Sequence, residues 1–282
     1  MADKATRNSK TPSPTRSAKA APGEKPKSEY TVRSLERGLT ILKCFDVDHP
    51  GRTLSELTEL TGLHKATCFR LVKTLEDQDF LSFSEPAGRY YLGTSLLRIS
   101  ALARSHDELS RLARPHLEQL ARETGETVDL AVWTSDGILF LDQVLTSHPF
   151  KPVSSAGRVF TDLRNAHAKV LVAFGPENRL EQLLARQDFD PENGYTRDAI
   201  EESLAEVRRT GVAWDLEERS PGICAVAVPV CAGDQSLIAS LAVVAPSERF
   251  GPAERETYAE ALRRRADALC LALPAGTVYA HS

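Results

Sequence analysis

The sequence predicts an α+β fold: an N-terminal winged helix-turn-helix, a linker helix, and a C-terminal domain of helices on a mostly antiparallel, GAF/PAS-like sheet. Two helix patterns around a glycine turn lie between residues 53 and 79, and a hairpin pattern follows at 80–93. Two further hairpin patterns, at 127–145 and 222–246, alternate with helix patterns in the C-terminal half. With 282 residues, 41% of them hydrophobic, the chain can bury two cores of ordinary size.

The first 28 residues have the composition of a disordered tail. They carry seven basic and two acidic side chains among Pro, Ser, Ala and Thr, so they can bury too little apolar surface to fold. The tail is either a solvated leader or a basic arm that adds non-specific affinity for DNA. It contains no apolar segment typical of a signal peptide, and the chain has no run of about 18 apolar residues. We therefore expect a cytoplasmic protein that does not enter a membrane.

The distribution of charge and the spacing of the cysteines indicate which partners, disulfides and metal sites to expect. The formal net charge of −4 divides into +3 through Leu92 and −7 after it, which suggests that the N-terminal part faces a polyanion. The five cysteines are odd in number, widely spread and without a C-x-x-C pair, so they predict neither disulfides nor a zinc site. Reduced, mostly buried thiols are expected, and no cofactor or metal is indicated.

Each element of the predicted DNA-binding domain, residues 29–92, has a local signal. The segment "SLERGLTILKCF" has the apolar spacing of a first helix. Thr53 and Glu56 stand in capping-box relation at the start of a second helix, which Gly62 ends. A third helix is predicted from His64 to Asp79, and "FLSFSEPAGRYYLG" predicts a β-wing with a turn at 86–88. The residues expected on the buried side of the third helix are Phe69, Leu71, Val72 and Leu75.

The third helix is the element expected to read DNA. Its first turns carry small and basic residues that can enter a major groove, whereas its acidic residues come at the far end. With the start of the preceding helix and the wing included, the residues predicted to contact DNA are Thr53, Ser55, His64, Lys65, Ala66, Thr67, Arg70, Lys73 and Arg89.

Residues 93–106 predict a linker helix, and residues 107–276 predict the second domain. The apolar side of the linker is too extended for a simple connector and should pack against a partner chain, so an oligomer is expected. That side comprises Leu96, Leu97, Ile99, Leu102 and Ala103. The second domain begins with a helix from about Asp107 to Glu123, in a stretch that only Pro115 interrupts. Its later elements are a hairpin turning at 135–137, a helix pair broken at 175–176, a helix ending at Gly211, a second hairpin and a closing helix.

Several of these segments together resemble the IclR family of bacterial transcriptional regulators. They are "SLERGLTILKCF", "LSELTELTGLHKATCFRLVKTLE", the wing ending "GRYYLG", "HAKVLVAF" and "GVAWDLEERSPGICAVAVPV" with "SLAVVAPSER". The resemblance covers nearly everything from Tyr30 to about Leu273. It implies a winged helix-turn-helix joined by a linker helix to a domain that binds a small-molecule effector. It also implies a dimer, or a dimer of dimers, that binds a pseudo-palindromic operator.

The resemblance also implies an effector pocket in the second domain. The positions that match the family's pocket are Phe160, Ala166, His167, Asp215, Ile223, Ala225, Ala242 and Val244. Where family members commonly read "LHATALGKALLA" this chain reads "DLRNAHAKVLVA", and Ala225, Ala242 and Val244 stand where some members have hydroxyls or a thiol. Apolar walls beside the start of a helix, whose N–H groups attract an anion, favour a small carboxylic acid with an apolar or aromatic body.

Other interpretations of these residues remain open. His167 either donates to an effector or is only part of the hydrogen-bonded structure, and Asp215 either accepts from an effector hydroxyl or caps a turn. Trp133 and Trp214 are expected in the core rather than against a ligand. Cys224 with His167 suggests a Cys/His hydrolase, but no nucleophile elbow, metal cluster or phosphate loop accompanies them, so we do not expect an enzyme. A DNA-binding protein that responds to no ligand is the second alternative.

Overall fold

The computed structural model describes residues 30–46, 48–100, 104–153 and 156–273. The predicted tail, and Leu102 and Ala103 of the linker, lie outside these ranges. The N-terminal elements are α1 (Arg33–Leu42), β1 (Gly51–Arg52), α2 (Leu54–Thr61), α3 (Lys65–Asp77), β2 (Leu81–Ser84) and β3 (Arg89–Leu92). The three strands form an antiparallel sheet in the order β1-β3-β2. This arrangement is a winged helix-turn-helix.

The predicted start and end of α2 are both confirmed. The Thr53 Oγ1 accepts a hydrogen bond from the Glu56 N–H at 3.2 Å, and a Glu56 carboxylate oxygen accepts from the Thr53 N–H at 2.7 Å. Both bonds satisfy N–H groups that a helix start leaves without an intrahelical partner. Gly62 ends the helix with a φ of 63°, a left-handed conformation that strains residues with a Cβ. The short turn that follows leads directly into α3.

One predicted packing position in α3 is wrong. Phe69 was expected in the core, but 45% of its surface is exposed. Cys68 and Val72, one turn apart, occupy the buried face instead, beside Ile41 and Leu57 of the preceding helices. Because successive helix residues are 100° apart, filling the core with Cys68 turns Phe69 toward the flank of the helix.

The C-terminal part is an α+β domain built on one six-stranded sheet. After α4 (Thr94–Ser100), which lies in the predicted linker, its helices are α5 (Arg104–Thr124), α6 (Ala166–Ala173), α7 (Asn178–Leu184), α8 (Arg197–Thr210) and α9 (Pro252–Ala272). Its strands are β4 (Thr127–Thr134), β5 (Gly137–Val144), β6 (Val159–Phe160), β7 (Ala213–Leu216), β8 (Ile223–Cys231) and β9 (Leu237–Pro246). The strand order is β6-β5-β4-β9-β8-β7, and every neighbouring pair is antiparallel. The predicted hairpins, β4-β5 and β8-β9, form its centre.

Helices cover both faces of this sheet. α5 and α9 pack on one face, where Leu117, Leu130 and Leu262 belong to one buried cluster. α6 and α8 lie on the other face, where Val170 and Leu204 belong to a second cluster. Every residue of α6 is buried, because the helix lies between the sheet and α8. Two separate cores therefore meet at the sheet, and the start of α6 is enclosed in the second.

Candidate DNA-reading surface and effector site

The start of α3 presents several of the predicted DNA contacts to solvent. Lys65, Ala66 and Arg70 are exposed, while Thr67 is half-buried. The side chains of Lys65 and Arg70 form no hydrogen bond or ion pair with any residue that the structure describes. Two unneutralised cations five residues apart, about one and a half helical turns, can approach phosphates or a guanine edge without breaking an existing side-chain contact.

Two other predicted cations are held by carboxylates. Lys73 Nζ lies 2.7 Å from Glu76 Oε2, and this hydrogen bond raises the pKa of Lys73. The Arg89 guanidinium donates to the Gly51 carbonyl at 2.8 Å and lies 3.2 Å from Glu56 Oε2. Arg89 thus ties the wing to the start of α2, so a DNA contact from it would have to compete with Glu56.

The remaining predicted contacts lie at the starts of the two helices. Thr53 is the capping residue of α2, so its hydroxyl is engaged within the fold. Ser55 is exposed two residues later. His64 precedes α3, and its Nδ1 accepts from the Ala66 N–H at 3.4 Å, a long contact. Within this group only the Ser55 side chain has no hydrogen bond to a residue that the structure describes.

The predicted effector residues converge on one face of the large sheet. In β7, β8 and β9, Asp215 pairs with Ala225, which pairs with Val244, so directly opposed side chains point to the same face. Ala242 and Val244 are buried there against α6, whereas Ile223 lies 36% exposed at the strand end. Phe160 is half-buried on the two-residue edge strand β6.

His167 is the centre of this arrangement. It lies in the first turn of α6 with 2% of its surface exposed, and its Nδ1 is 3.0 Å from the Ser240 hydroxyl. Its Nε2 is buried and has no hydrogen-bond partner. Burial lowers the pKa of His167 to about 3, so the ring is neutral at physiological pH. A neutral imidazole with one nitrogen unmatched is a hydrogen-bonding group available to a ligand.

One aromatic ring packs against the imidazole, and a second packs against the first. The Phe140 ring meets His167 edge to face at a centroid distance of 5.1 Å and meets Phe160 at 4.8 Å. The Arg219 guanidinium lies over the Phe160 ring, with its Cζ 4.4 Å from the ring centroid. We call Phe140, Phe160, His167 and Ser240 the His167 cluster.

One part of the predicted anion site is corrected. The backbone N–H of His167 was expected to face the ligand, but it donates to Asn165 Oδ1 at 2.9 Å. Asn165 is the residue before α6 and caps the helix itself, as Asn commonly does. His167 therefore offers a ligand its imidazole rather than its amide.

Asp215 holds a loop next to the cluster. It is 5% exposed, and its Oδ1 accepts from the N–H groups of Glu218 and Arg219 at 3.0 and 3.3 Å. Burial raises the pKa of Asp215 to about 6, with the Glu218 charge acting in the same direction. Backbone N–H bonds and the Lys169 charge oppose that rise. The carboxyl group therefore caps the loop after β7, one of the two roles that its position predicts.

The sequence analysis missed two polar pairs on or beside the same face. Asp129 is fully buried in β4, directly opposite Ala242, and its Oδ1 accepts from Gln143 Nε2 at 2.7 Å. Lys169 donates to the Trp214 carbonyl and to both carboxylate oxygens of Glu218, each at 2.7 Å. The available signal was a charged residue inside an apolar run, "TVDLAVW" for the first pair and "HAKVLVA" for the second.

A cavity of about 320 Å³ lies beside α6, and no member of the His167 cluster lines it. Its walls are the side chains and backbone of Leu163, Arg164, Lys169, Asp190, Gly194, Tyr195, Ala199, Ile200, Ser203, Leu204 and Glu218. None of the eight predicted effector residues lines it. The loop that Asp215 caps connects the two places, because Glu218 lines the cavity while Arg219 covers Phe160.

The structure separates the residues of the hydrolase alternative. Cys224 packs in the cluster between the sheet and α9, whereas His167 lies on the opposite face. Burial also raises the pKa of the Cys224 thiol, which disfavours the thiolate that a nucleophile requires. All five cysteines are free. Within the described ranges there is no group of three His, Cys, Asp or Glu side chains that could hold a metal ion. None of the described helices is long and apolar enough to cross a bilayer.

Comparison with known proteins identifies both parts of the chain. A family model described as bacterial transcriptional regulator IclR C-terminal matches residues 101–271, and one described as the IclR helix-turn-helix domain matches residues 34–85. The transcriptional regulator XynR of Escherichia coli is 29% identical over 86% of this chain and 97% of its own. The regulator TtgV of Pseudomonas putida is 30% identical over 77% of this chain and 83% of its own.

Solved structures share the same architecture. An IclR-type transcriptional regulator from Silicibacter superposes with a TM-score of 0.76 and 29% identity, covering 85% of this chain and 95% of that one. An IclR homologue from Microbacterium hydrocarbonoxydans, solved in complex with 4-hydroxybenzoate, has a TM-score of 0.71 and 22% identity. It covers 85% of this chain and 100% of its own, and at this identity the likeness shows the fold.

Proposed function

The chain belongs to the IclR family of bacterial transcriptional regulators, and we propose which of its surfaces contact DNA and the effector. Its helix-turn-helix domain binds DNA, and its C-terminal domain binds an effector. Both named relatives are themselves transcriptional regulators.

We place α3 in the major groove of a pseudo-palindromic operator. This placement rests on two unneutralised cations, Lys65 and Arg70, on the exposed first turns of α3. Ala66, Thr67 and His64 lie beside them, and Ser55 at the start of α2 can reach the backbone of the duplex. Three other predicted residues, Thr53, Lys73 and Arg89, already have intramolecular partners. They therefore contribute chiefly by stabilising the start of α2, the end of α3 and the wing.

We propose that the effector is a small aromatic carboxylic acid that binds at the His167 cluster. The observation that carries this assignment is the buried His167 Nε2 without a partner, on a ring that packs against Phe140, which in turn contacts Phe160. Leaving a buried polar nitrogen unmatched costs about 1–3 kcal/mol, which a ligand oxygen accepting its hydrogen bond would recover. The aromatic rings supply apolar walls for the body of the ligand.

Binding at this place requires a local rearrangement. The His167 ring is enclosed, so an effector reaches Nε2 only when a covering side chain moves. Phe160 is the best candidate, since it is half-buried and its strand has two residues at the sheet edge. Movement of Phe160 would also release Arg219 and hence the loop that Asp215 caps. That loop would thus transmit effector binding to the rest of the protein.

Calorimetry with a panel of ligands tests the assignment. Benzoate and 4-hydroxybenzoate serve as aromatic acids, butyrate as an aliphatic acid, and benzamide as the uncharged control. His167→Phe keeps an aromatic ring and removes the nitrogen, so it should abolish binding of any acid that the wild type binds. Ser203→Trp fills the 320 Å³ cavity instead and should leave that binding unchanged. Loss of binding in Ser203→Trp, with binding retained in His167→Phe, would move the effector to the cavity.

We further propose that the protein is a dimer, or a dimer of dimers, which binds DNA without acting as an enzyme. On α4, Leu97 and Ile99 are 70% and 53% exposed, and contact with a partner chain is the simplest way to cover these apolar side chains. The proposed boundaries are those that the sequence predicts: DNA-binding domain 29–92, linker helix 93–106 and effector domain 107–276. Light scattering that gives a monomer at micromolar concentration would contradict the assembly.

A further inference from the structure

Phe69 exposes an aromatic ring on the helix that we assign to the major groove. The side chain is 45% exposed, although Phe is among the residue types most often buried. It lies one helical turn after Lys65 and one turn before Lys73. Exposed apolar surface at this position is unfavourable in the free protein and calls for a partner that covers it.

The surroundings of the ring indicate what that partner is. Helical geometry places Ala66, Phe69, Arg70 and Lys73 on one continuous face of α3. Phe69 stacks on no other ring in the part of the chain that the structure describes. By contrast, the exposed Phe83 of the wing packs against Tyr90 at a centroid distance of 4.8 Å. Phe69 is therefore an apolar group embedded in a basic face, which is complementary to a polyanion that carries an apolar feature.

We propose that Phe69 is a specificity-determining residue that packs against the 5-methyl group of a thymine. In the major groove this methyl is the apolar feature of the base edges, and Phe is among the side chains that contact it. Lys65 and Arg70 would neutralise phosphates or pair with a base on either side of that contact. The inference rests on the proposed placement of α3 in the groove, and it adds the base that the ring reads.

Replacing thymine by deoxyuridine tests the contact directly, because it removes the methyl group and leaves the base-pairing edge intact. The probe is the duplex that the wild-type protein enriches from a random-sequence library. Each thymine is replaced in turn, together with its symmetry mate, and affinity is measured by fluorescence anisotropy at fixed salt. Burying one methyl is worth about a fourfold change in affinity per half-site, so one symmetric pair should weaken binding roughly fifteenfold.

Variants link this discrimination to the ring. Phe69→Ala should bind the thymine duplex more weakly and discriminate thymine from deoxyuridine by less than twofold at that pair. Phe69→Leu retains an apolar group and should keep part of the discrimination. Thr74→Ala, an exposed position on the other flank of α3, should keep all of it. Circular dichroism melting curves confirm that each variant is folded.

Two results would overturn the proposal: equal affinity of the wild type for every deoxyuridine duplex, or undiminished discrimination in Phe69→Ala. Either result leaves the placement of α3 intact, provided that Arg70→Ala still weakens binding to the enriched duplex. If Arg70→Ala binds that duplex as the wild type does, or if no sequence is enriched, the placement itself fails and the role of Phe69 with it.

Discussion

The Nδ1 of His167 lies 3.0 Å from the hydroxyl oxygen of Ser240, and this contact joins the first turn of α6 to the central strand β9. Both side chains are buried, so neither can exchange the contact for water. The bond fixes the plane of the imidazole and leaves the opposite nitrogen, Nε2, as the one that is available. Ser240 is thereby a positioning residue for the proposed effector contact.

Ser240→Ala should destabilise the effector domain by about 1–3 kcal/mol, because it leaves a second nitrogen of a buried ring unmatched. Ser203→Ala is the matched control: Ser203 is half-buried beside the cavity, and its loss should cost less than about 0.5 kcal/mol. Urea denaturation followed by tryptophan fluorescence reports on this domain, since Trp133 and Trp214 are the two tryptophans of the chain. The double variant His167→Phe with Ser240→Ala should recover much of the loss, because both polar partners are then absent.

The pH dependence of stability should reveal two opposing titrations. The pKa of His167 falls from 6.5 to about 3 on folding, so between these values the unfolded chain binds the extra proton and acidification destabilises the fold. The pKa of Asp215 rises from 3.8 to about 6, so in that window the folded chain binds the extra proton and acidification stabilises it. Between pH 6 and about pH 4 the two slopes oppose each other.

Asp215→Asn removes one of these slopes. On acidification from pH 6 to pH 4 the variant should lose stability more steeply than the wild type, by up to ~1.4 kcal/mol per pH unit. His167→Phe should differ from the wild type in the opposite direction. Urea titrations at pH 6, 5 and 4 measure both differences. Parallel pH profiles for the wild type and both variants would show that neither group has a shifted pKa.

The Lys169 and Glu218 pair should respond asymmetrically to removal of either partner. The Lys169 side chain is 7% exposed, whereas that of Glu218 is 41% exposed and can be solvated alone. Glu218→Gln leaves a buried ammonium with weaker neutralisation, and we expect a loss of about 2–3 kcal/mol. Lys169→Met removes the buried charge and fills similar volume, so the expected loss is about 1 kcal/mol. A larger loss in Lys169→Met would show that its bond to the Trp214 carbonyl outweighs the charge.

The fold could be predicted well where local signals agree with the packing. The capping box at Thr53, the glycine stop at Gly62 and the hairpin turn at 135–137 are each determined by a few neighbouring residues, and all three appear as predicted. Phe69 shows the limit of that reasoning. The spacings 69-72-75 and 68-72 both describe an apolar stripe, and only the contacts of Cys68 with the other helices decide between them.

The effector site was predictable only in part, because it forms from segments that are distant along the chain. Family resemblance named Ala225, Ala242 and Val244 as pocket positions, and the register of β8 and β9 shows that they lie on one face. The Ser240 partner of His167 lies 73 residues away, so no local pattern could identify it. The cap on the His167 amide was visible as an Asn before a helix, but its consequence for an anion site depends on the observed geometry.

Thr53 and Ser55 lie two residues apart at the start of α2. Replacing each with alanine should separate an effect on stability from an effect on DNA affinity. The Thr53 hydroxyl accepts from the Glu56 N–H, so Thr53→Ala should destabilise the helix-turn-helix by about 1 kcal/mol, as loss of an N-cap does. Ser55 is exposed, so Ser55→Ala should leave the melting temperature unchanged and weaken DNA binding by loss of one phosphate hydrogen bond.

Salt dependence then identifies the kind of contact. A serine hydroxyl displaces no counterion, so Ser55→Ala should weaken binding without altering the slope of log affinity against log salt concentration. Lys65→Ala should instead reduce the magnitude of that slope by about 1 for each phosphate that it contacts. Anisotropy titrations from 50 to about 200 mM salt distinguish the two outcomes. Should Ser55→Ala bind like the wild type throughout, while Lys65→Ala shows the reduced slope, α3 alone reaches the duplex and the start of α2 does not.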